Sequence, residues 1–248
     1  MTRYILIDPA DHIYTTPNGS PLWDSAPHAL FTVRIDASHT AARLPATPHT
    51  LTAEPGVQTV EPRAFFNTEF GFLISQAVAL VRHREAFEFD PLTGEKITWS
   101  ADNTRAFGTR GREYFPRIDP AVIGLIEHSV EPRLLVGRNI RRSYFSLIAG
   151  YIAPGETMEQ AFAREVWEEA GRRVSDIVYV ASQPWPTSSS LMFGVRATTS
   201  DDTAIGECDG ELAEIRWITR ADIHHSTLPL APEGSLAHRM IQDWANTT

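Results

Sequence analysis

Residues 150–171 carry the strongest local structural signals in this chain. They read GYIAPGETMEQAFAREVWEEAG. Pro154 and Gly155 form a turn dipeptide. Thr157, with a glutamine three positions later, predicts the start of a helix closed by a capping box. Gly171 stands where a left-handed helix terminus requires a residue without a side chain. The stretch therefore predicts a loop that leads into a helix.

Three carboxylates lie inside this predicted helix. Glu165, Glu168 and Glu169 are spaced i, i+3, i+4, which places them on one face. Like charges at this spacing repel and destabilise the helix unless cations neutralise them. Mg²⁺ and Mn²⁺ prefer oxygen ligands, so the face is a candidate platform for such ions. The alternative is a solvated acidic face of an ordinary helix, since short motifs also arise by chance.

The residues around the carboxylates extend this pattern to G-x5-E-x7-R-E-U-x-E-E-x-G-U, where U is a bulky apolar residue. The matching positions are Gly150, Glu156, Arg164, Glu165, Val166, Glu168, Glu169 and Gly171. The stretch resembles the Nudix box of the Nudix hydrolases. In it, we expect Arg164 and Glu156 to pair and brace the loop against the helix. Arg172 departs from the aliphatic residue of the box, which we expect to weaken packing at the helix end more than metal binding.

Composition limits the classes of protein to consider. The 248 residues are 42% apolar and 21% charged, enough for one large domain or two small ones. The net charge of −9 argues against nonspecific binding to nucleic acid or to anionic membranes. Cys208 is the single cysteine, which excludes a disulfide within the chain and a cysteine-rich zinc site. Without a signal peptide or a long apolar run, we expect a cytoplasmic protein with no membrane partner.

The first third of the chain predicts a small β-rich domain that ends in a helix. Apolar runs at residues 4–7 and 29–35 predict strands. Residues 36–62 are rich in Ala, Thr and Pro and predict a surface loop or linker, with a strand at Val57–Val60. Apolar residues at helical spacing predict a helix over Gly71–Phe87. We interpret the basic run Arg82–Arg84 near its end as a solvated face, and the alternative is a basic site around His83.

The remainder alternates short strands and turns around the box helix. Residues 88–113 predict a small hairpin-like element, and the C-terminal segment predicts an amphipathic helix. The predicted strands are Lys96–Trp99, Arg105–Phe107, Ala121–Ile126, Arg133–Val136, a strand around Tyr144–Ile148, Asp176–Ala181, Leu191–Ala197 and Glu211–Ile218, and the helix is Leu236–Trp244.

Three further segments resemble the NADH pyrophosphatase branch of the Nudix hydrolases. They are FPRIDPAVI at 115–123, SQPWP with SLM at 182–192, and SLAHR at 235–239. The resemblance implies an α+β protein: a Nudix α/β/α sandwich with a mixed sheet, preceded by a small β-rich domain and a zinc-ribbon-like element. The implied domains are 1–87, 88–113 and 114–248.

The chain departs from that branch in two respects. Where the branch has the cysteines of a zinc ribbon, this chain has Asp90, Thr93, Phe107 and Arg110. We therefore expect a degenerate ribbon that binds no zinc. The branch also has Phe-Pro after Trp-Pro, whereas this chain has Thr187-Ser188. The change alters the wall of the expected substrate pocket and weakens the case for strict NADH selectivity.

The resemblance assigns roles to particular residues. It implies that Glu165, Glu168 and Glu169 are catalytic, that they hold Mg²⁺ or Mn²⁺ together with Glu211, and that one glutamate is the general base. Trp185 is a candidate for stacking on a base or nicotinamide ring, with a core tryptophan as the alternative. The candidate substrate-binding residues are Phe115, Ile123, Tyr151, Trp185, Ser190, Met192 and Ala237, although core packing also explains the apolar ones.

The expected activity is metal-dependent hydrolysis of NADH or NAD⁺ at the pyrophosphate, giving nicotinamide mononucleotide and AMP. The resemblance extends to NAD-capped RNA 5′ ends as a further substrate, whereas the acidic net charge favours free dinucleotides over long RNA. It also implies a homodimer to which the N-terminal part contributes. One alternative is a Nudix hydrolase of ADP-ribose, a diadenosine polyphosphate or another nucleoside diphosphate derivative. Another is a noncatalytic nucleotide-sensing module, in which the glutamates of the box should be eroded. All of them are present here.

Overall fold

The computed structural model describes residues 2–24, 27–45 and 56–247. The chain divides into two compact units. The first unit contains the residues up to Ile118 and the short segment Trp185–Ser189. The second contains Asp119–Pro184 and the residues from Ser190 onward.

A six-stranded sheet covered by one helix forms most of the first unit. The strand order is β4-β5-β1-β2-β6, and β3 pairs with β1. Apolar residues of helix α1 (Gly71–Ala86), among them Ile74 and Val78, pack on Ile5 and Ile7 of the sheet. This confirms the predicted helix. The strands are β1 (Arg3–Ile7), β2 (Ile13–Thr15), β3 (Trp23–Asp24), β4 (Phe31–Arg34), β5 (His39–Arg43) and β6 (Gln58–Val60).

Strand β5 lies in the segment for which the sequence predicts a loop or linker, so that prediction is wrong for residues 39–43. β5 pairs in parallel with β1 and antiparallel with β4, and its Ala41 and Ala42 are fully buried. Alanine gives a weak strand signal, and its burial here depends on the neighbouring strands. Within the same segment, the strand predicted near Val60 is confirmed, and residues 46–55 lie outside the described part of the chain.

The basic run at the end of α1 is packed rather than solvated, which corrects its interpretation as a solvated face. His83 is only 6% exposed, and its ring centroid lies 5.3 Å from that of Trp99. Burial lowers the pKa of His83, because desolvation disfavours its charged form. Arg84 lies over the same Trp99 ring at 4.7 Å, and Arg82 donates to Asp11 at 2.6 Å.

The ribbon-like element is a three-stranded sheet with the carboxylate of Asp90 at its turns. Oδ1 of Asp90 accepts hydrogen bonds from the amide of Leu92 and the hydroxyl of Tyr114, each at 2.8 Å. Oδ2 accepts the amide of Thr109 at 3.2 Å. One carboxylate therefore joins two turns and a strand through hydrogen bonds. The strands are β7 (Thr98–Trp99), β8 (Ala106–Phe107) and β9 (Glu113–Tyr114), in the order β7-β8-β9.

The second unit is a mixed sheet with a helix on each face. The strand order is β13-β14-β10-β11-β15, and β12 pairs with β10. β10 runs parallel to β14 and antiparallel to β11 and β12. The elements are β10 (Asp119–His128), β11 (Arg133–Asn139), β12 (Ile148–Tyr151), helix α2 (Met158–Ala170), β13 (Ser175–Trp185), β14 (Ser190–Thr199), β15 (Leu212–Thr219), and helices α3 (Arg220–His224) and α4 (Leu236–Asn246).

Alternate residues of the central strand β10 belong to two different cores. Val122 and Ile126 share a core with Phe162 of α2, whereas Ile123 shares a core with Met240 of α4. Because successive side chains of a strand point to opposite faces, one strand supports both layers. This arrangement confirms the predicted α/β/α sandwich with a mixed sheet.

Two local predictions in this unit need correction. The strand expected around Tyr144–Ile148 begins only at Ile148. Before it, Phe145 and Ser146 form single bridges, to Leu230 and Gly137 respectively, instead of a continuous ladder. The short helix α3 was not predicted from the sequence. None of the helices within the described ranges has the length and apolar composition that crossing a membrane requires.

Candidate active site

The start and end of α2 follow the local sequence signals. Thr157 Oγ1 accepts the amide of Gln160 at 3.2 Å, and Gln160 Oε1 accepts the amide of Thr157 at 2.9 Å. This is the predicted capping box. At the other end, Gly171 has φ 60° and donates its amide to the carbonyl of Trp167 at 3.0 Å. Both ends of the helix are therefore fixed by short-range contacts.

The acidic loop at residues 200–210 packs against the C-terminal end of α2. The amides of Ile205 and Gly206 donate to the Gly171 carbonyl at 2.8 and 3.1 Å. The amide of Asp209 donates to the carbonyl of Glu168 at 2.8 Å. Helix ends leave carbonyls unpaired, and the loop satisfies them here. These bonds hold the loop beside the carboxylates of the helix.

Arg172 is packed into the helix end where the sequence predicts weaker packing, which corrects that expectation. The residue is only 7% exposed. Its guanidinium donates to the carbonyls of Ala170 at 2.8 Å, Asp201 at 3.1 Å and Asp202 at 2.9 Å. Hydrogen bonds to a charged donor replace the apolar contact of an aliphatic residue. Arg172 thus ties α2 to the acidic loop.

The three box glutamates share a helix face but differ strongly in burial. The side chain of Glu165 is 14% exposed and that of Glu168 is 45% exposed, whereas Glu169 is only 5% exposed as a whole residue. Burial, with repulsion from Glu211 and other carboxylates, raises the pKa of Glu169 to about 8. Burial also raises the pKa of Glu165, although Arg164 opposes this shift. The face is therefore crowded with partly desolvated carboxyl groups, and without a cation Glu169 keeps its proton up to about pH 8.

Arg164 braces the loop and the helix, as the sequence predicts. Its Nε donates to Glu156 Oε1 at 2.6 Å, and its Nη2 donates to Oε2 at 2.9 Å. This fork holds the pKa of Glu156 down to about 2. Nη1 also donates to Glu165 at 2.8 Å and to Glu168 at 2.9 Å. One guanidinium thus positions two of the candidate ligands.

Glu211 comes from outside the box and lies immediately before β15. Its charge contributes to the raised pKa of both Glu169 and Glu165, which indicates that it lies near the acidic face of α2. Asn139 Nδ2 donates to Glu211 Oε1 at 3.1 Å, and Asp209 Oδ1 accepts the Glu211 amide at 2.9 Å. The sequence motifs predict neither Asn139 nor Asp209 as a site residue. The Asp209-Gly210 turn dipeptide was a signal for one of them, whereas the contact of Asn139 requires the fold.

The donor set fits a hard divalent cation. Oxygen ligands from several carboxylates suit Mg²⁺ or Mn²⁺, and Gly150 leaves space that a Cβ would fill next to Glu165. In the part of the chain that the structure describes, no three His, Cys, Asp or Glu side chains already converge closely enough to hold a metal. Magnesium uses only one or two carboxylates, together with water and substrate phosphate oxygens, so a closed cage is not required.

Five of the candidate substrate-binding residues lie in the second unit. Tyr151 is 55% exposed, and its hydroxyl lies 3.4 Å from Ser190 Oγ. Ile123 and Ala237 are buried in the core beneath α4, and Met192 packs against that core. Packing explains the burial of Ile123 and Ala237, whereas Tyr151 presents its ring to solvent.

The other two candidates, Phe115 and Trp185, belong to the first unit. Phe115 is 71% exposed. The Trp185 ring contacts Phe66 edge to face, with centroids 5.5 Å apart and an interplanar angle of 72°. Trp185 is half-buried: part of its ring packs against neighbouring residues, and part is exposed to solvent.

Residues 118–240 match the sequence model of the NUDIX domain. This range begins just before β10 and ends within α4, and so includes the mixed sheet, the box helix and Glu211. The second unit of this chain therefore carries a NUDIX domain.

Curated relatives extend the similarity beyond that domain. The chain is 36% identical over 192 residues to the NAD-capped RNA hydrolase NudC of Mycobacterium tuberculosis, covering 70% of this chain and 60% of that protein. It is 32% identical over 191 residues to the human NAD-capped RNA hydrolase NUDT12, covering 69% of this chain and 41% of that protein. The alignments thus span about three fifths or less of these relatives. A crystal structure of a NUDIX hydrolase from Nitrosomonas europaea is also similar, with a TM-score of 0.47 and 24% identity over 63% of this chain and 87% of that one.

Proposed function

We propose that this protein hydrolyses the pyrophosphate bond of NADH or NAD⁺, giving nicotinamide mononucleotide and AMP, and that it also acts on NAD-capped RNA 5′ ends. The observation that carries the proposal is the acidic face of α2 within a NUDIX domain, where Glu165, Glu168 and Glu169 share one side of the helix and the charge of Glu211 acts on Glu165 and Glu169. The two curated relatives described above, each called an NAD-capped RNA hydrolase, support the substrate class.

We infer that Glu165, Glu168, Glu169 and Glu211 hold Mg²⁺ or Mn²⁺, and that the degenerate ribbon holds no zinc. When bound, the metal supplies charge neutralisation at the phosphates and makes a water molecule more acidic. Two of these carboxylates are already oriented by hydrogen bonds, because Arg164 donates to the side chains of Glu165 and Glu168.

The reaction adds water across a phosphoric anhydride. The oxygen of the water attacks one phosphorus atom, the bridging P–O bond breaks, and the other nucleotide leaves as a monophosphate. One of the catalytic glutamates accepts the proton from the water. We propose that Tyr151, Trp185 and Ser190 contact the dinucleotide, because Tyr151 and Trp185 have partly exposed aromatic rings and the Ser190 hydroxyl lies 3.4 Å from that of Tyr151. Phe115, Ile123, Met192 and Ala237 complete the proposed set of substrate-binding residues.

A second substrate class is ADP-ribose or another nucleoside diphosphate derivative. Its support is the sequence Thr187-Ser188, which forms a short 3₁₀ turn directly after Trp185 where the branch carries Phe-Pro. Smaller, polar side chains there leave less apolar surface for a nicotinamide ring.

The test is hydrolysis of NADH, NAD⁺, ADP-ribose and diadenosine tetraphosphate with Mg²⁺ or Mn²⁺, with Glu168→Gln as the control. We expect NADH to be hydrolysed fastest, with AMP and reduced nicotinamide mononucleotide as products. The Glu168→Gln variant should lose most of the activity. Faster cleavage of ADP-ribose would move the assignment to the second class. Absence of metal-dependent turnover with all four would contradict both assignments.

We also propose that the protein is a cytoplasmic homodimer. The uncharged run Val178–Val180 on edge strand β13 is about half exposed, and such a surface is typical of a protein–protein contact. The single cysteine is compatible with a reducing compartment. Light scattering coupled to gel filtration gives the mass directly, and a monomer at micromolar concentration would contradict the dimer.

A further inference from the structure

The loop between β11 and β12 concentrates positive charge in a chain whose net charge is −9. Arg141 and Arg142 lie in this loop and are exposed. Arg138 and Arg216 come from the adjoining strands β11 and β15, and their guanidiniums lie 5.8 and 5.3 Å from the ring centroid of Phe145. Two arginines thus lie in the loop, and two more lie against its Phe145.

Nearby carboxylates neutralise only part of this charge. Glu214 accepts from both Arg138 and Arg216. Within the described part of the chain, neither Arg141 nor Arg142 forms an ion pair, although Arg142 donates to the hydroxyl of Tyr144. Two exposed guanidiniums are therefore available to an anion from outside.

The position of the loop relative to the candidate active site is fixed by hydrogen bonds to Glu211. The amide of Ile140 donates to the Glu211 carbonyl at 3.2 Å, and the side chain of Asn139 donates to its carboxylate at 3.1 Å. Asn139 Oδ1 also accepts the amide of Arg141 at 2.9 Å, which shapes the first turn of the loop. The arginines are therefore anchored beside a proposed metal ligand without being paired to it.

These features fit a polyanion that extends away from the active site. A free dinucleotide carries only the two phosphates of the bond to be cleaved, and the carboxylate site engages those. Further phosphates exist where the dinucleotide caps an RNA chain. Guanidiniums bind phosphate oxygens through two parallel hydrogen bonds, and partly exposed apolar or aromatic side chains such as Ile140 and Tyr144 can contact unpaired bases.

We propose that the loop Ile140–Tyr144, together with Arg138 and Arg216, binds the phosphodiester backbone of an RNA chain attached to the dinucleotide substrate. This inference rests on the proposed function, because it explains how the same carboxylate site accommodates a capped RNA. The acidic remainder of the protein repels nucleic acid, so binding is confined to this loop and depends on salt.

The direct test is binding without turnover. Fluorescence anisotropy measures the affinity of a single-stranded, NAD-capped RNA of about 10 nucleotides for the full chain in EDTA. We expect Arg141→Gln/Arg142→Gln to weaken binding about 10-fold, and to make the slope of log K against log salt less negative by about 1.4, since two phosphate contacts are lost. Arg141→Lys/Arg142→Lys preserves both charges and should retain most of the affinity.

The matched control is Arg173→Gln/Arg196→Gln, which removes the same charge from positions outside the loop. Arg173 lies over Trp167, and Arg196 pairs with Glu127. We expect this control to bind like wild type. Equal affinities of the wild type and the loop variant, or equal losses in the loop variant and the control, would overturn the proposal.

Kinetics separate this inference from the proposed function. The loop variant should hydrolyse NADH at the wild-type rate and lose about 10-fold in kcat/KM on the capped RNA. Parallel losses on both substrates would mean that the loop supports the carboxylate site itself and would overturn the RNA assignment. If the wild type cleaves neither substrate, the proposed function fails, and the anisotropy experiment still decides whether the loop binds RNA.

Discussion

The backbone of Gly150 lies directly against the carboxylate of Glu165. A Cβ at position 150 would stand 1.9 Å from Cδ of Glu165 and 2.0 Å from its Oε1, closer than any real contact. Gly150 cannot move aside easily, because it pairs with Val122 in the centre of the sheet. Only a residue without a side chain lets β12 approach the acidic face of α2 so closely.

Gly150→Ala should therefore displace Glu165 and lower both activity and stability. We expect a loss of about 1–3 kcal/mol in the free energy of unfolding, the usual cost of overpacking, and a fall in kcat of at least about 10-fold. Chemical denaturation and NADH hydrolysis measure the two effects. Shortening the opposing side chain in Gly150→Ala/Glu165→Asp should recover part of the stability. Additive losses in that double variant would contradict the steric explanation.

Glu169 should make the metal-free protein less stable as the pH rises. Its pKa in the folded protein is raised to about 8, above the ordinary value of 4.5. The folded state therefore holds a proton that the unfolded state has lost between these values, and stability falls from about pH 4.5 to about pH 8. Glu169→Gln should remove this slope and stabilise the metal-free protein by about 1–3 kcal/mol at pH 8, while abolishing activity. Thermal unfolding in EDTA across this pH range measures both effects.

Glu159 provides the control for that experiment, since it is an exposed glutamate in the first turn of the same helix. Its pKa is lowered by hydrogen bonds at the helix start. Glu159→Gln should slightly destabilise the protein, because a negative charge suits the N-terminal end of a helix. If both substitutions shift the Tm in the same direction, burial of Glu169 is not the cause.

Arg172 should be more stabilising than the aliphatic residue that the box expects. Arg172→Leu removes the donor to the carbonyls of Ala170, Asp201 and Asp202, of which only that of Asp202 keeps another side-chain donor, Trp217, so the change should cost about 1–3 kcal/mol. Arg173→Ala, at the exposed neighbouring position, should change stability by less than about 0.5 kcal/mol. Urea denaturation compares the two variants. A neutral effect of Arg172→Leu would show that packing alone suffices at this helix end.

Asp90 should hold the ribbon-like element together in place of a metal. Asp90→Ala leaves the amides of Leu92 and Thr109 and the hydroxyl of Tyr114 without their acceptor. We expect a lower Tm and faster proteolysis within residues 88–113, while Glu88→Ala, an exposed control in the same element, behaves like wild type. Elemental analysis of the purified protein should find no stoichiometric zinc. Zinc bound at one ion per chain would contradict this role of Asp90.

Local sequence determined the box helix almost completely. The capping box of Thr157 and Gln160 and the left-handed Gly171 involve residues within a few positions of one another, so their geometry can be predicted from spacing alone. The pairing of Arg164 with Glu156 was predicted for the same reason: a short loop returns one residue to the other. The periodicity of apolar residues likewise predicted helices α1 and α4, and short apolar runs predicted most strands.

The tertiary structure decided what neighbouring elements do to each side chain. By spacing, Glu168 and Glu169 are equivalent members of one acidic face, yet only Glu169 is buried, and the Asp209 and Glu211 carboxylates that act on it follow the helix by about 40 residues. Long-range packing likewise buries His83 and the alanine-rich strand β5. It also places the carbonyls of the acidic loop within hydrogen-bonding distance of Arg172, and the two turns and the strand around Asp90. Spacing along the chain fixes which residues share a face, whereas burial and long-range contacts, which set charge and pKa, arise only when the elements pack together.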